Sequence, residues 1–176
     1  HDGDKVVCLD RTNGETSWRS APVARKKPVP SDYAPTLVVY GDVVLFTGGA
    51  NLVPHRGADD TMTAFAAETG KTLWTAPHPP SGHQSPEDIL VAAGLVWTGA
   101  VASDADSGHF TGRDPRTGAV VRDFPPDVPQ RYGHHRCYRA KATDRFLLMS
   151  RNGIEFLDVR AKQWSTVRWV RGGCLY

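Results

Sequence analysis

Between residues 131 and 139 the chain reads Arg-Tyr-Gly-His-His-Arg-Cys-Tyr-Arg, its densest run of chemically capable side chains. Imidazole, phenol and guanidinium together can abstract a proton, protonate a leaving group and neutralise a carboxylate. His134, His135, Arg136 and Tyr138 are therefore the candidate catalytic group, suited to elimination or hydrolysis on an acidic sugar chain. Arg131, Tyr132 and Arg139, with His55 and His83 from elsewhere, are candidate ligand-binding residues. The same run also reads as a structural corner whose polar groups are satisfied internally. No metal site is expected, because adjacent histidines rarely turn both rings to one ion and no carboxylate stands close in sequence.

Charge supports the choice of an acidic ligand. Residues 131 to 171 carry ten Lys or Arg against three acids, whereas the remainder holds 11 basic and 16 acidic residues. Such asymmetry attracts anions; the competing reading is that these arginines pair with acids of neighbouring elements. The Arg25-Lys26-Lys27 triplet lacks the interleaved aromatics of a nucleic-acid surface and reads as a solvated loop.

Positioning these groups takes a scaffold, and Ala64 to Trp74 shows what it is. Thr61 to Ala66 and Lys71 to Thr75 are short apolar or β-branched runs flanking Glu68-Thr69-Gly70. Gly70 suits the positive φ that closes a hairpin turn, and the Thr69 hydroxyl can bond the local backbone. Trp74 offers a large ring for packing on a neighbouring unit, with the small Ala64 leaving it room. The unit recurs as Cys8 to Trp18, with Asp10 and Gly14, and as Gly112 to Arg122, with Asp114 and Gly118. A degenerate copy contains Asp158, with Lys162 where the glycine stood. The aligned positions 10, 66, 114 and 158 are 56, 48 and 44 residues apart, a period that fits a four-stranded blade.

The pattern small-x-Asp-x-x-(Thr/Asn)-Gly-x-x-x-Trp resembles the tryptophan-docking motif of PQQ-like, quinoprotein-type β-propeller repeats. Ala66 departs from it where Asp is usual, Arg122 where Trp is usual, and Lys162 where Gly is usual. The resemblance implies an all-β propeller segment of four-stranded antiparallel blades in a periplasmic or extracellular bacterial protein. It does not imply that PQQ itself binds: quinoprotein dehydrogenases show adjacent cysteines beside the cofactor, and Cys8, Cys137 and Cys174 are widely spaced. No cofactor is expected. The His/Tyr/Arg composition of residues 131 to 139 also resembles, in residue types only, the sites of propeller polysaccharide lyases.

Read in order, residues 1–19 supply a partial blade, residues 20–35 a Pro-rich connector, and residues 36–75, 88–124 and 136–169 three full blades, with 172–176 starting another. The chain begins at His1 without Met and is expected to be processed or cut from something longer. Three blades do not close a ring of roughly 4–8, so the remaining blades or a second chain are expected to complete it. Strand alternation places Arg136 and Tyr138 on one side of the third blade's first strand and Cys137 and Arg139 on the other.

Turns after the first and third strands of each blade are short, while the loops after the second strand and between blades are long. Six of the seven histidines, His55, His78, His83, His109, His134 and His135, lie in or beside the long segments. Long loops on a rigid frame are where binding groups gather, although histidine also sits in loops merely because it is polar.

At 40% hydrophobic residues, 17 Gly and 13 Pro, the 176-residue chain suits a turn-rich β protein. No apolar run reaches the roughly 18 residues of a membrane span, and no signal-peptide pattern is present. The expected function is a non-catalytic repeat module that binds protein or glycan through its long-loop face. The alternative is a lyase or hydrolase on acidic polysaccharide.

Overall fold

The structure, a computed structural model, describes residues 2, 4–23, 36–47, 61–78, 88–99, 109–125, 140–149, 154–167 and 169. Among these residues there are fourteen strands and no helix. A two-stranded sheet holds β1 (Val7–Leu9) and β2 (Thr16–Arg19). Three four-stranded sheets follow. The first is β3 (Thr36–Tyr40), β4 (Val43–Thr47), β5 (Thr61–Ala66) and β6 (Thr72–Pro77). The second is β7 (Leu90–Ala92), β8 (Leu95–Gly99), β9 (Phe110–Arg113) and β10 (Val120–Phe124). The third is β11 (Lys141–Ala142), β12 (Phe146–Met149), β13 (Ile154–Asp158) and β14 (Gln163–Val167). Each strand pairs antiparallel with its neighbour in sequence, as in propeller blades, and the sheets are not closed into a ring.

The cores lie between sheets, which explains why β4 reads Val-Val-Leu-Phe-Thr without polar alternation. All five of its residues are buried. Val43 and Leu45 point to one face and pack with Met62, Ala64 and Trp74 against Ile89 and Val96 of the second sheet. Val44 and Phe46 point to the other face and pack with Phe65 against Val6 and Val23 beside the two-stranded sheet. A third cluster joins Trp97, Phe110 and Phe124 of the second sheet to Leu147, Met149 and Leu157 of the third. A sheet buried on both faces loses the period-two signal that a half-exposed sheet shows.

The two-stranded sheet covers only part of its neighbour. Leu37 lies opposite Phe46 and Val39 opposite Val44, so all four share one face. Phe46 and Val44 are buried, yet Leu37 is 45% and Val39 61% exposed. Among the described residues β1 pairs only with β2, on one edge. Val6 accepts from the Ser20 amide and the Asp10 amide donates to Glu15, both toward β2; alternation turns the amides of Val7 and Leu9 away from it.

Some strands differ from the sequence expectation. β6 begins at Thr72 and runs on to Pro77, because Lys71 still belongs to the turn. β7 begins at Leu90, since Asp88 is a bridging residue, its Oδ2 accepting the Ala140 amide of the third sheet at 2.9 Å. Residues 131–139 and 172–176 lie outside the described residues.

Candidate functional site

The repeated motif places its functional atoms by one local device. In each copy the amide of the fifth motif residue bonds back to the carbonyl of the first: Gly14 to Asp10, Gly70 to Ala66, Gly118 to Asp114 and Lys162 to Asp158, at 2.8–2.9 Å. That closure needs a left-handed backbone, with φ of 75°, 69°, 72° and 58° respectively. Glycine adopts it without strain, whereas the lysine does so against its Cβ. Where the first residue is aspartate, its Oδ1 also takes the amides that follow: Thr12 from Asp10, Arg116 and Thr117 from Asp114, and Arg160 and Ala161 from Asp158. Ala66 has no such carboxylate, and there Thr69 Oγ1 accepts the Lys71 amide at 3.3 Å.

These bonds hold the carboxylates ionised. The Asp10 carboxyl lies below its usual range through the Thr12 hydroxyl and then the Thr12 amide, and Asp114 through the Thr117 amide and then its hydroxyl. Asp158 is lowered furthest, to about 2, first by the hydrogen bond from Arg145 and then by the Ala161 amide. Arg145 is on the same sheet as Asp158, with Nε 2.7 Å from Oδ2, so this cation of the basic stretch serves its own blade.

Two of these turns, those closed by Gly70 and Gly118, seat an indole from the preceding sheet. Trp18 Nε1 donates to the Ala67 carbonyl at 2.8 Å, and a methyl group added at Gly70 would overlap the Trp18 ring. Trp74 Nε1 donates to the Pro115 carbonyl at 2.9 Å, and a methyl at Gly118 would stand 2.7 Å from the ring. Glycine is thus required twice, for φ and for room. Ala64 lies directly opposite Trp74 in the β5–β6 pair, the small partner for the large ring.

The third seat is altered on both sides. Arg122 occupies the indole position, and its Nη1 donates to the Val159 carbonyl at 3.3 Å. Opposite it Lys162 replaces the glycine, with its Nζ 5.9 Å from the centre of the Phe124 ring. The polar link survives while the flat ring is gone. Between β10 and β14 lies a cavity of about 540 Å³, bordered by Asp123, Phe124, Leu157, Lys162, Gln163 and Trp164. Trp164 is held edge-on by Phe110, with ring centres 6.2 Å apart. Asp123 Oδ1 accepts from His109 Nε2 and Thr111 Oγ1.

The structure places the motif residues Asp10 and Gly14, then Thr69 and Gly70, then Asp114 and Gly118, and Asp158 in the turns of their own repeats, with Ala64 opposite Trp74 and with Trp18 and Trp74 docked on the turn of the next repeat. His134, His135, Arg136 and Tyr138, and likewise His55, His83, Arg131, Tyr132 and Arg139, lie outside the described residues. Of the other long-segment histidines, His78 is fully buried and its Nε2 donates to the Asp88 carbonyl at 3.1 Å. It braces the connection between the first and second sheets and is not an exposed binding group. Among the described residues no three His, Cys, Asp or Glu are grouped to hold a metal, and no helix is long and apolar enough to cross a membrane. Sequence reasoning missed the Arg122–Lys162 seat. Its signal was two departures from the repeat, eight residues into one copy and four into the next, and the structure brings Arg122 to the turn that Lys162 closes.

Comparison with known proteins agrees with this construction. A family model described as outer membrane protein assembly factor BamB matches residues 1–127. The crystal structure of BamB from Moraxella catarrhalis superposes with a TM-score of 0.56 at 17% identity over 93% of this chain. The computationally designed protein Ika8 superposes with a TM-score of 0.57 at 15% identity over 92%. The chain spans 42% of the length of each of these two structures. Comparison with curated proteins finds no match. With indoles seated on the next sheet's turns and the family model matching most of its length, the chain belongs to the BamB-like family of PQQ-like β-propeller repeats.

Proposed function

We propose that the chain is a non-catalytic repeat module that binds a protein or glycan partner through its long-loop face, in the periplasm or outside the cell. The family's description as an outer membrane protein assembly factor favours a protein partner. The observation that carries the reading of a partner is the flank of the first full sheet: Leu37 and Val39 stand exposed beside β1, which among the described residues pairs only with β2. Two added strands would cover both, and an open edge with apolar flanking residues is a template for strand addition. The remaining blades or a second chain would supply them. No quinone is part of this reading, since the three cysteines include no adjacent pair.

An acidic-polysaccharide lyase or hydrolase is the second reading, favoured by His134, His135, Arg136 and Tyr138 together with the basic stretch around them. Turnover of uronate-containing glycans that falls in Tyr138→Phe and His135→Ala would establish it. Absence of turnover on any such glycan, with a partner retained on the purified chain, leaves the binding module. Absorbance and metal content of the purified protein test the absence of quinone.

A further inference from the structure

We infer that the groove between β10 and β14, which Lys162 of the altered seat borders, is a binding site for one acidic sugar residue of a uronate-type saccharide. The first two inter-sheet junctions are filled by Trp18 on Gly70 and Trp74 on Gly118. At the third, the arginine keeps the hydrogen bond but not the ring, and about 540 Å³ stays open where the rim strands pass. That volume accommodates a pyranose ring, with one or two waters.

The lining says which ring. Half-buried Trp164 supplies aromatic surface, the surface on which the C–H face of a sugar packs. Gln163 offers an amide that both donates and accepts, matched to vicinal hydroxyls. Lys162 is the cation of the lining, its ammonium near the Phe124 ring and free to turn toward a ligand carboxylate. The one acid of the lining, Asp123, is already engaged through Oδ1 by His109 and Thr111. The balance therefore favours an anion that carries hydroxyls and an apolar face. A neutral sugar would leave Lys162 unused, and a simple inorganic anion would leave the aromatic surface bare.

The site does not depend on the long-loop reading, because its side chains lie on the last strands of two sheets and on the turn before β14. A direct test is calorimetric titration of the chain with tetra- to hexagalacturonate and with the same oligomers fully methyl-esterified. The wild type should bind the acid form at least about tenfold more tightly than the ester, about the worth of one charged contact. Arg122→Trp combined with Lys162→Gly restores a seated indole beside the groove and removes the one cation of its lining. It should cut affinity for the acid form at least about tenfold without lowering the melting temperature. Lys162→Gln, which removes only the charge, should abolish the preference for acid over ester. The inference is overturned if the wild type does not bind, if acid and ester bind alike, or if both variants bind as tightly as wild type. Binding lost in His135→Ala but untouched by both groove variants would place the saccharide on the long loops and overturn the groove while sparing the proposed function.

Discussion

Arg122 reaches the Val159 carbonyl at the place where Trp18 meets Ala67 and Trp74 meets Pro115. The three carbonyls follow equivalent motif positions, 66, 114 and 158, by one residue. A guanidinium can inherit the bond of an indole because both present an N–H at the end of a planar group. It cannot inherit the packing, and the lysine opposite it is tolerated for that reason.

Glycine and lysine in the same turn should therefore respond with opposite sign. Gly70→Ala and Gly118→Ala combine left-handed strain with overlap on a seated indole, half-buried Trp18 or buried Trp74, and should each lower unfolding free energy by about 2–4 kcal/mol. Lys162→Gly relieves φ of 58° without any ring to meet, and should raise it by up to about 1 kcal/mol. Urea unfolding followed by tryptophan fluorescence measures all three.

Removing what sits in a seat should separate packing from hydrogen bonding. Trp74→Ala vacates a nearly buried indole and should cost about 3–5 kcal/mol. Arg122→Ala gives up one neutral-acceptor bond and should cost about 1 kcal/mol. Equal losses in the two variants would mean that the third junction is packed as the second is.

Acid should loosen the turns. Carboxylates whose folded pKa lies below the unfolded value stabilise fully above the unfolded value, near 3.8, and lose that contribution as pH falls through the folded one. For Asp158 the window runs from about 3.8 down to about 2, with Asp10 and Asp114 shifted the same way. Melting temperature should thus fall on acidification across that window, and Asp158→Asn should start lower at pH 7 and fall less. A variant whose acid profile parallels wild type would contradict this.

The uncovered flank predicts a tolerance. In the isolated chain Leu37→Ser and Val39→Thr should change stability by no more than about 0.5 kcal/mol. Phe46→Ala on the same face should cost about 3–5 kcal/mol. Amide exchange should be rapid at Val7 and Leu9 and slow at Cys8, which pairs with Trp18. A partner that adds strands there should slow the first two.

Much of this architecture was legible in Thr69-Gly70 and Trp74, because a left-handed turn followed at fixed distance by an indole has few structural meanings. The β4 run Val-Val-Leu-Phe-Thr was legible too, bounded by Gly41-Asp42. The groove was not, since Arg122 and Lys162 read singly as decay of the motif; only the approach of Arg122 to the turn that Lys162 closes makes one altered junction of two losses. His78 misled because loop position was read as exposure. Its ring is instead drawn inward by the Asp88 carbonyl.

Trp18 and Trp74 each grip the sheet that comes after their own, and so the molecule resists force unequally along its length. A pull that peels the leading two-stranded sheet must unseat Trp18 from Ala67, and the next step must unseat Trp74 from Pro115. The step between the second and third sheets meets no seated indole; the Arg122 contact there is joined by the Ala140 amide on Asp88, the Ala93 amide on Asp144 and a shared apolar core. Under tension that junction resists through many small contacts shared along two sheets, where the two before it each rely on one large ring held in a turn.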